Sequence, residues 1–361
     1  MDGAVSADPV ALEAFARDVF SKLGVPDTQA AGAARVLVWA NLRGVETHGV
    51  RNLAPLYVHM LDEGIVTPDA EFSVDYETPF SARVDGGNGL GMAAGVWAMQ
   101  LAMDKAAASG SGMVAMHNSR HFGAAGYYAH MALAHDMIGI SATGRFMPRG
   151  GRIGLMPTFA AIPMFSTNPI AFSAPSMEEP PFLLDMATTI TPYNRVMLYH
   201  ELGRLAPVGW GTDDDGMPTT DPTKLNHLYP LGGSRELGSH KGYGLAMVVQ
   251  ILSGVLSGDW AGGSADERAY DGYDQRHDGH FFAAIRVDAF EPVDDFKRGM
   301  DVMIRALHDA PKEEGQDRIY IAGEIEHETE QERRRNGIPL PPNVQDDLRK
   351  LADRFALPLP Y

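Results

Sequence analysis

Apolar residues recur at helical spacing near the amino terminus. Leu12, Phe15, Val19, Phe20 and Leu23 share one face of a segment that begins at Asp8 and stops at Gly24. Pro26 and Asp27 open a second helix through Ala33, Val36, Leu37 and Ala40, and Gly44 breaks it. A third helix is predicted over 50–62, directly after Val45-Glu46-Thr47-His48-Gly49. The pattern then shortens. Residues 72–84 read as two strands around the turn Glu77-Thr78-Pro79, and a glycine-rich turn over 85–92 opens a long helix to Ala108. Strands are predicted over 112–116 and 137–143, flanking a helix over 127–135. Two more follow over 168–173 and 181–187, then a helix over 192–203. An apolar helix over 244–256 has a polar entrance, Ser239-His240-Lys241-Gly242. The stretch 258–279 reads as a mobile loop and 280–287 as a strand; charged helices over 296–307, 323–336 and 344–355 close the chain. The result is an α/β (α+β) pattern, with helices at both ends and a β-rich middle.

Length and charge narrow this. The chain has 361 residues, enough for two or three domains with a substantial core. A net charge of −17 disfavours nucleic acid and anionic membranes as partners. It also makes the basic residues Arg145, Arg149, Arg152, Arg195 and Lys241 stand out as candidate anion contacts. The absence of cysteine excludes disulfides, thiol nucleophiles and thiolate metal sites. The first ten residues lack a secretory pattern, and the 244–256 helix is too short to span a bilayer, so a cytoplasmic location is expected.

Two stretches carry candidate chemistry. Asn118-Ser119-Arg120-His121-Phe122-Gly123-Ala124-Ala125-Gly126-Tyr127-Tyr128 joins a predicted strand to a predicted helix. Such a junction can present backbone N–H groups and a histidine to an anion, or simply hold a satisfied core histidine. His48 precedes the first turn of its helix, where it can face a cleft or serve as a helix-start residue. Gly89, Gly91 and Gly95 imitate a dinucleotide fingerprint, but their spacing is one residue too long and no strand stands where the acidic residue should be. His117 and His121 straddle a turn with no glutamate between them, so no metal site is expected; Asp213-Asp214-Asp215 reads as a solvated turn. The nucleophile elbow and the phosphate loop are both absent. What remains is histidine acid–base chemistry with lysine, arginine and glycine turns as ligand contacts, a set suited to proton transfer coupled to a cofactor's hydride transfer.

These motifs together resemble the malate/L-lactate dehydrogenase family of NAD(P)-dependent oxidoreductases, which also holds ureidoglycolate and sulfolactate dehydrogenases and the piperideine-2-carboxylate reductases. The resemblance rests on Glu46-Thr47-His48-Gly49-Val50, the 85–91 glycine turn, the 118–128 stretch, Thr167-Asn168-Pro169 and Leu184-Asp185-Met186-Ala187-Thr188. It continues through Lys241-Gly242-Tyr243-Gly244, Gly279-His280-Phe281-Phe282, Gly323-Glu324 and Gly337-Ile338-Pro339. It implies a non-Rossmann cofactor fold on a largely antiparallel sheet, with a helical domain built from both termini. The corresponding division is 1–76 and 291–361 for the helical parts and 77–290 for the cofactor and substrate region. The resemblance also implies a homodimer acting on a small-molecule 2-hydroxy or 2-oxo acid, malate- or lactate-like, with NAD or NADP. Reduction of a cyclic imine is the alternative, and a non-catalytic cofactor-binding protein a further one. By position, it implies His48, Thr47 and His121 as acid–base residues. Cofactor contacts are implied at His121, Phe122, Gly123, Arg145, Asp185, Met186, Ala187, His240, Lys241, Gly323 and Glu324. Arg51, Asn52, Arg149 and Arg195 are the substrate candidates. The family's usual arginine four residues after the histidine is Asn52 here. The chemistry expects His48 to titrate near the ordinary ~6.5 and so to serve both reaction directions.

Overall fold

A computed structural model describes residues 4–148, 150–151, 153–259 and 278–361. Arg149, Arg152 and most of the loop expected over 258–279 lie outside the described residues. The centre is a seven-stranded sheet in the order Ser73–Glu77, Ser81–Asp85, Ser111–Ser119, Asp278–Arg286, Met137–Gly144, Ile170–Ala174 and Phe182–Met186. Every neighbouring pair is antiparallel except Ser81–Asp85 with Ser111–Ser119. That parallel pair is joined by the helix Gly91–Ser109, the crossover a parallel connection requires. The fold is therefore mixed α/β with a mostly antiparallel sheet.

The strand Asp278–Arg286 is central and almost wholly buried. Helices Gly91–Ser109 and Ala125–Met131 pack on one side of the sheet through Val114, Met116, Ala129 and Phe282. On the other side, Ala115, Ala142, Phe281 and Ala283 meet Val249 from the helix Ser239–Gln250. The alternation along each strand sends successive side chains to these two layers. Close approach is set by glycine: a Cβ on Gly91 would come within 1.9 Å of the Arg120 carbonyl, so only glycine lets that helix start against the 118–121 turn.

Both termini join one core. Asp8 caps the helix Pro9–Lys22 by accepting from Ala11 N at 2.9 Å, a contact worth about 1 kcal/mol. That helix and its successor, Asp27–Leu42, share a core with Ile338, Leu340, Val344 and Leu348 from the far end of the chain. A short antiparallel pair, Val5–Ala7 with Ile338–Leu340, ties the ends directly. Neither strand stands out in the hydrophobic pattern, because each is only three residues long. The helix Val293–Asp309 is anchored differently. Its buried Asp301 accepts from the backbone N–H groups of Met177, Glu178 and Glu179, and its Lys297 pairs with Asp136, both on the sheet side of the molecule.

The region after His48 departs from a regular helix. Val50–Asn52 is 3-10, Leu53–Val58 is π-helical and only His59–Asp62 is α-helical. A second irregular sheet, Gly154–Leu155, His227–Leu228 and Gly211–Thr212, lies where the sequence shows only loops. The helix expected from Gly244 begins earlier, at Ser239, so His240 and Lys241 occupy its first turn. Among the described residues no helix is long and apolar enough to cross a membrane.

Candidate active site

The structure brings the two candidate histidines together. The His48 and His121 rings stack with centroids 5.8 Å apart and planes 15° from parallel. Each is anchored through Nδ1 by a hydroxyl: Thr47 Oγ1 lies 3.0 Å from His48, and Tyr57 Oη lies 2.8 Å from His121. Neither Nε2 has a hydrogen-bond partner among the described residues, and both residues keep some solvent exposure.

Local sequence explains the placement of His48. A Cβ on Gly49 would fall 2.1 Å from Asn41 Oδ1, so glycine lets the loop close onto the helix Asp27–Leu42. That same Oδ1 accepts from Val50 N at 2.7 Å. The Thr47 carbonyl is held twice, by Asn52 Nδ2 at 2.8 Å and Asn194 Nδ2 at 2.9 Å. Asn52 is thus occupied with the loop backbone. Arg51 pairs with Glu201 at the far end of the helix Tyr193–Glu201. Arg195 is exposed on that helix with no side-chain partner among the described residues.

The 118–121 turn is pinned from below. Asn118, in a left-handed conformation with φ of 51°, donates to Asp85 Oδ1 at 2.7 Å, and Arg120 Nε donates to Asn88 Oδ1 at 2.7 Å. His117 sits on the strand and reaches Asp75 at 2.6 Å, so it does not join His121. Phe122 is buried, its ring 4.6 Å from His280 and 4.8 Å from Tyr128. Any ligand contact at Phe122 or at Gly123, where φ is 78°, would be through backbone.

Charges around the pair differ in kind. Arg145 is ion-paired with buried Asp278, its Nε 2.7 Å from Oδ1. Burial raises the Asp278 carboxyl, but Arg145, His280 and His121 together hold it below the usual carboxylate range. Burial lowers His121, with Asp278 opposing and Arg145 adding to the effect. Burial, then the neighbouring His121, pushes His48 down to about 3. The expectation of an ordinary value near ~6.5 is corrected: burial first, and the stacked second imidazole after it, disfavour the cation.

Asp185 ends the strand Phe182–Met186 and accepts from Gly126 N at 2.7 Å. Crowding by surrounding protein pushes its carboxyl up to about 6, opposed chiefly by the hydrogen bond from Gly126 N. Met186 and Ala187, next in the chain, are half-buried. Thr188 follows, and its carbonyl accepts from Leu231 N at 2.9 Å; Leu231 is the residue against which Gly242 packs. This chain of contacts brings the first turn of Ser239–Gln250 towards the strand end. Its Lys241 is exposed and unpaired among the described residues, and His240 Nδ1 lies 3.1 Å from Arg235. Gly323 starts the helix Glu324–Asn336 with φ of 94° against Leu183. Glu324 is buried, its carboxylate 3.2 Å from Arg318 and 2.6 Å from His308, so it is committed within the protein. A cavity of about 170 Å³ lies between these elements, lined by Arg43, His130, Leu183, His327 and Glu330 among others; it does not include the histidine pair.

Sequence reasoning missed three contributors: Tyr57, Asn194 and Asp278. The π-helical turn obscures the spacing from His48 to Tyr57, and Asn194 and Asp278 meet the site only through tertiary contact.

Two imidazoles with unpartnered nitrogens, an exposed carboxylate and a lysine at a helix start are groups that a cofactor-dependent dehydrogenase can use. The comparisons agree: a model of the malate/L-lactate dehydrogenase family matches residues 7–349. The chain belongs to that family. It is 38% identical to a malate dehydrogenase of Pyrococcus abyssi over 96% of this chain and 94% of the relative. The crystal structure of malate dehydrogenase from Entamoeba histolytica superposes with a TM-score of 0.92 at 35% identity, covering 99% of this chain and 100% of that one. A Δ1-piperideine-2-carboxylate reductase from Pseudomonas syringae pvar. tomato is more distant, with a TM-score of 0.81 at 26% identity over 96% of this chain and 100% of that one. The protein is an oxidoreductase, and its family implies a nicotinamide cofactor.

Proposed function

We propose that the chain moves hydride between a nicotinamide dinucleotide and C2 of a small 2-hydroxy/2-oxo acid, with His48 exchanging the hydroxyl proton. The observation that carries this reading is the open Nε2 of His48, stacked on His121 and held through Thr47. At neutral pH His48 is uncharged; its lowered pKa makes it a weak acceptor of the C2 hydroxyl proton until a bound carboxylate beside it favours the cation. In the reverse direction the imidazolium must form, and a bound carboxylate would favour it.

The residues present fit a dinucleotide. Asp185 offers an exposed acceptor, and Lys241 offers an unpaired cation on the first turn of a twelve-residue helix, where backbone N–H groups and the dipole favour phosphate. His130 and His327 line the neighbouring cavity, whose Arg43 is held by Glu330 and the Gly323 carbonyl. The bound nicotinamide would supply the hydride acceptor or donor. The antiparallel sheet and the off-spacing of Gly89, Gly91 and Gly95 support a non-Rossmann mode of binding. Among the described residues, Arg51 and Arg195 are the candidate cations for the substrate carboxylate, and Arg51 would leave Glu201 to engage it.

In this reading residues 1–76 and 291–361 form the flanking part and 77–290 the cofactor and substrate region, although the strand Ser73–Glu77 and the helix Val293–Asp309 go with the sheet. The helical stretch after Lys241 exposes Met247, Val248, Ile251, Val255 and Leu256, an apolar face suited to a second copy in a homodimer. Light scattering on the purified protein tests that assembly. A spectrophotometric screen of 2-hydroxy acids, 2-oxo acids and cyclic imines, with NAD(H) and NADP(H), tests the reaction. Turnover of a malate- or lactate-like acid is expected; turnover of cyclic imines alone would replace this reading with the alternative.

A further inference from the structure

The cavity between Arg43, Leu183 and the helix Glu324–Asn336 is lined by donors that the fold leaves unspent. Arg43 follows the last turn of the helix Asp27–Leu42 and is only 5% exposed. One of its N–H groups goes to Glu330 Oε2 at 3.0 Å and one to the Gly323 carbonyl at 3.1 Å. A guanidinium carries five N–H donors, so the other three have no acceptor among the described residues. His130 and His327 line the same space, and neither ring has a hydrogen-bond partner among the described residues. His130 meets the Trp39 ring at 5.7 Å, and Arg43 lies over that same indole at 5.1 Å. Pro181 and Leu183 supply an apolar wall. We propose that this cavity binds a phosphate monoester dianion.

Unspent donors that converge on a cavity call for an acceptor-rich guest, because buried polar groups are otherwise paired. The charge of the lining agrees. Glu330 gives one oxygen to Arg43 and the other to Arg334, at 2.9 and 2.6 Å, so two guanidiniums meet one carboxylate. The nearby acids Glu326 and Asp185 stand outside the lining and act on each other. Burial first, then Arg43, hold His130 below its ordinary value, with Glu330 opposing and Arg334 and His327 adding. A dianion between the rings reverses that balance, and each imidazole can then take up a proton and become a charged donor. A carboxylate has two oxygens for this work. A phosphate monoester has three free ones, enough for a guanidinium and two imidazoles together.

Position narrows what carries the phosphate. Leu183 and Asp185 alternate onto one face of the strand Phe182–Met186, so the cavity adjoins the strand end proposed above for the dinucleotide. The 2′-phosphate of NADP is one source, and free phosphate is the other. The cofactor source rests on the dehydrogenase reading; the site itself does not.

Titrations of the full-length protein test this. Inorganic phosphate, followed in histidine side-chain NMR spectra, should move the His130 and His327 signals towards protonated imidazole. The double variant His130→Asn/His327→Asn should bind phosphate at least about 10-fold more weakly with a wild-type-like thermal transition. If that variant unfolds, the single variant His327→Asn and the wild-type spectra decide. Calorimetry with adenosine 2′-phosphate against adenosine 5′-phosphate, then NADP against NAD, identifies the source. Binding of the 2′-phosphorylated ligands at least about 10-fold tighter, lost in the variant, supports the site as part of cofactor recognition. Equal affinity for the two dinucleotides, with phosphate still moving both histidines, supports it as a site for free phosphate. No phosphate-induced change in either histidine, with no preference for a 2′-phosphate, overturns the proposal. Failure of the dehydrogenase reading is distinguishable, since the wild type would then bind neither dinucleotide while the inorganic phosphate titration still decides the site.

Discussion

His280 and the His48–His121 pair occupy neighbouring ground and show opposite uses of one side chain. His280 is fully buried, and both its ring nitrogens are satisfied. Thr143 Oγ1 lies 2.8 Å from Nδ1, while Ser119 Oγ and the Arg120 carbonyl lie 2.9 and 3.1 Å from Nε2. Phe122 covers one face at 4.6 Å. Burial, only partly opposed by Asp278, pushes it down to about 4. His48 and His121 are held just as firmly, but by one nitrogen each. A histidine whose every polar atom is spent supports the fold; one with a bare nitrogen on a cleft can exchange or donate a proton.

The largest expected effect breaks the reactive side. His48→Ala should reduce kcat about 10²- to 10⁴-fold, measured by nicotinamide absorbance, with an unaltered unfolding transition. The reciprocal variant, His280→Ala, should cost about 2–4 kcal/mol in denaturant unfolding through a cavity and unpaired Ser119 and Thr143 hydroxyls. Its folded fraction should retain turnover within about 3-fold. The same contrast predicts a pH dependence. His280 is neutral when folded and titrates near ~6.5 when unfolded, so its stabilisation is present above that value and is lost as pH falls from ~6.5 towards about 4. Denaturant midpoints of wild type should fall across that window, and those of His280→Ala should fall less.

Two smaller effects sharpen the periphery. Lys241→Ala should weaken cofactor binding about 5- to 10-fold in a fluorescence titration without slowing hydride transfer at saturation. Glu201→Gln should release Arg51 and lower KM for the acid about 2- to 3-fold; a rise in KM would show that the ion pair, rather than the free arginine, serves the site.

Much of this contrast was legible in the chain. Helical periodicity around Leu12, Phe15 and Val19, and strand punctuation around Glu77 and Pro79, gave the outline, because each element buries one regular face. His48 and His121 stood out through their glycine-rich surroundings. The sequence did not show that they stack, since no local pattern encodes a contact between residues 73 positions apart. Tyr57 was hidden by the π-helical turn, which breaks the spacing by which a helical neighbour is recognised. The value expected for His48 was misleading for a related reason: residue type alone carries no information about crowding.

The most direct test puts binding and chemistry on one variant. His48→Ala is titrated with cofactor by nicotinamide fluorescence, then mixed with substrate in a single-turnover experiment. The account predicts saturation at wild-type affinity and hydride transfer slowed by at least ~100-fold. Hydride transfer at the wild-type rate in the saturated variant would contradict it.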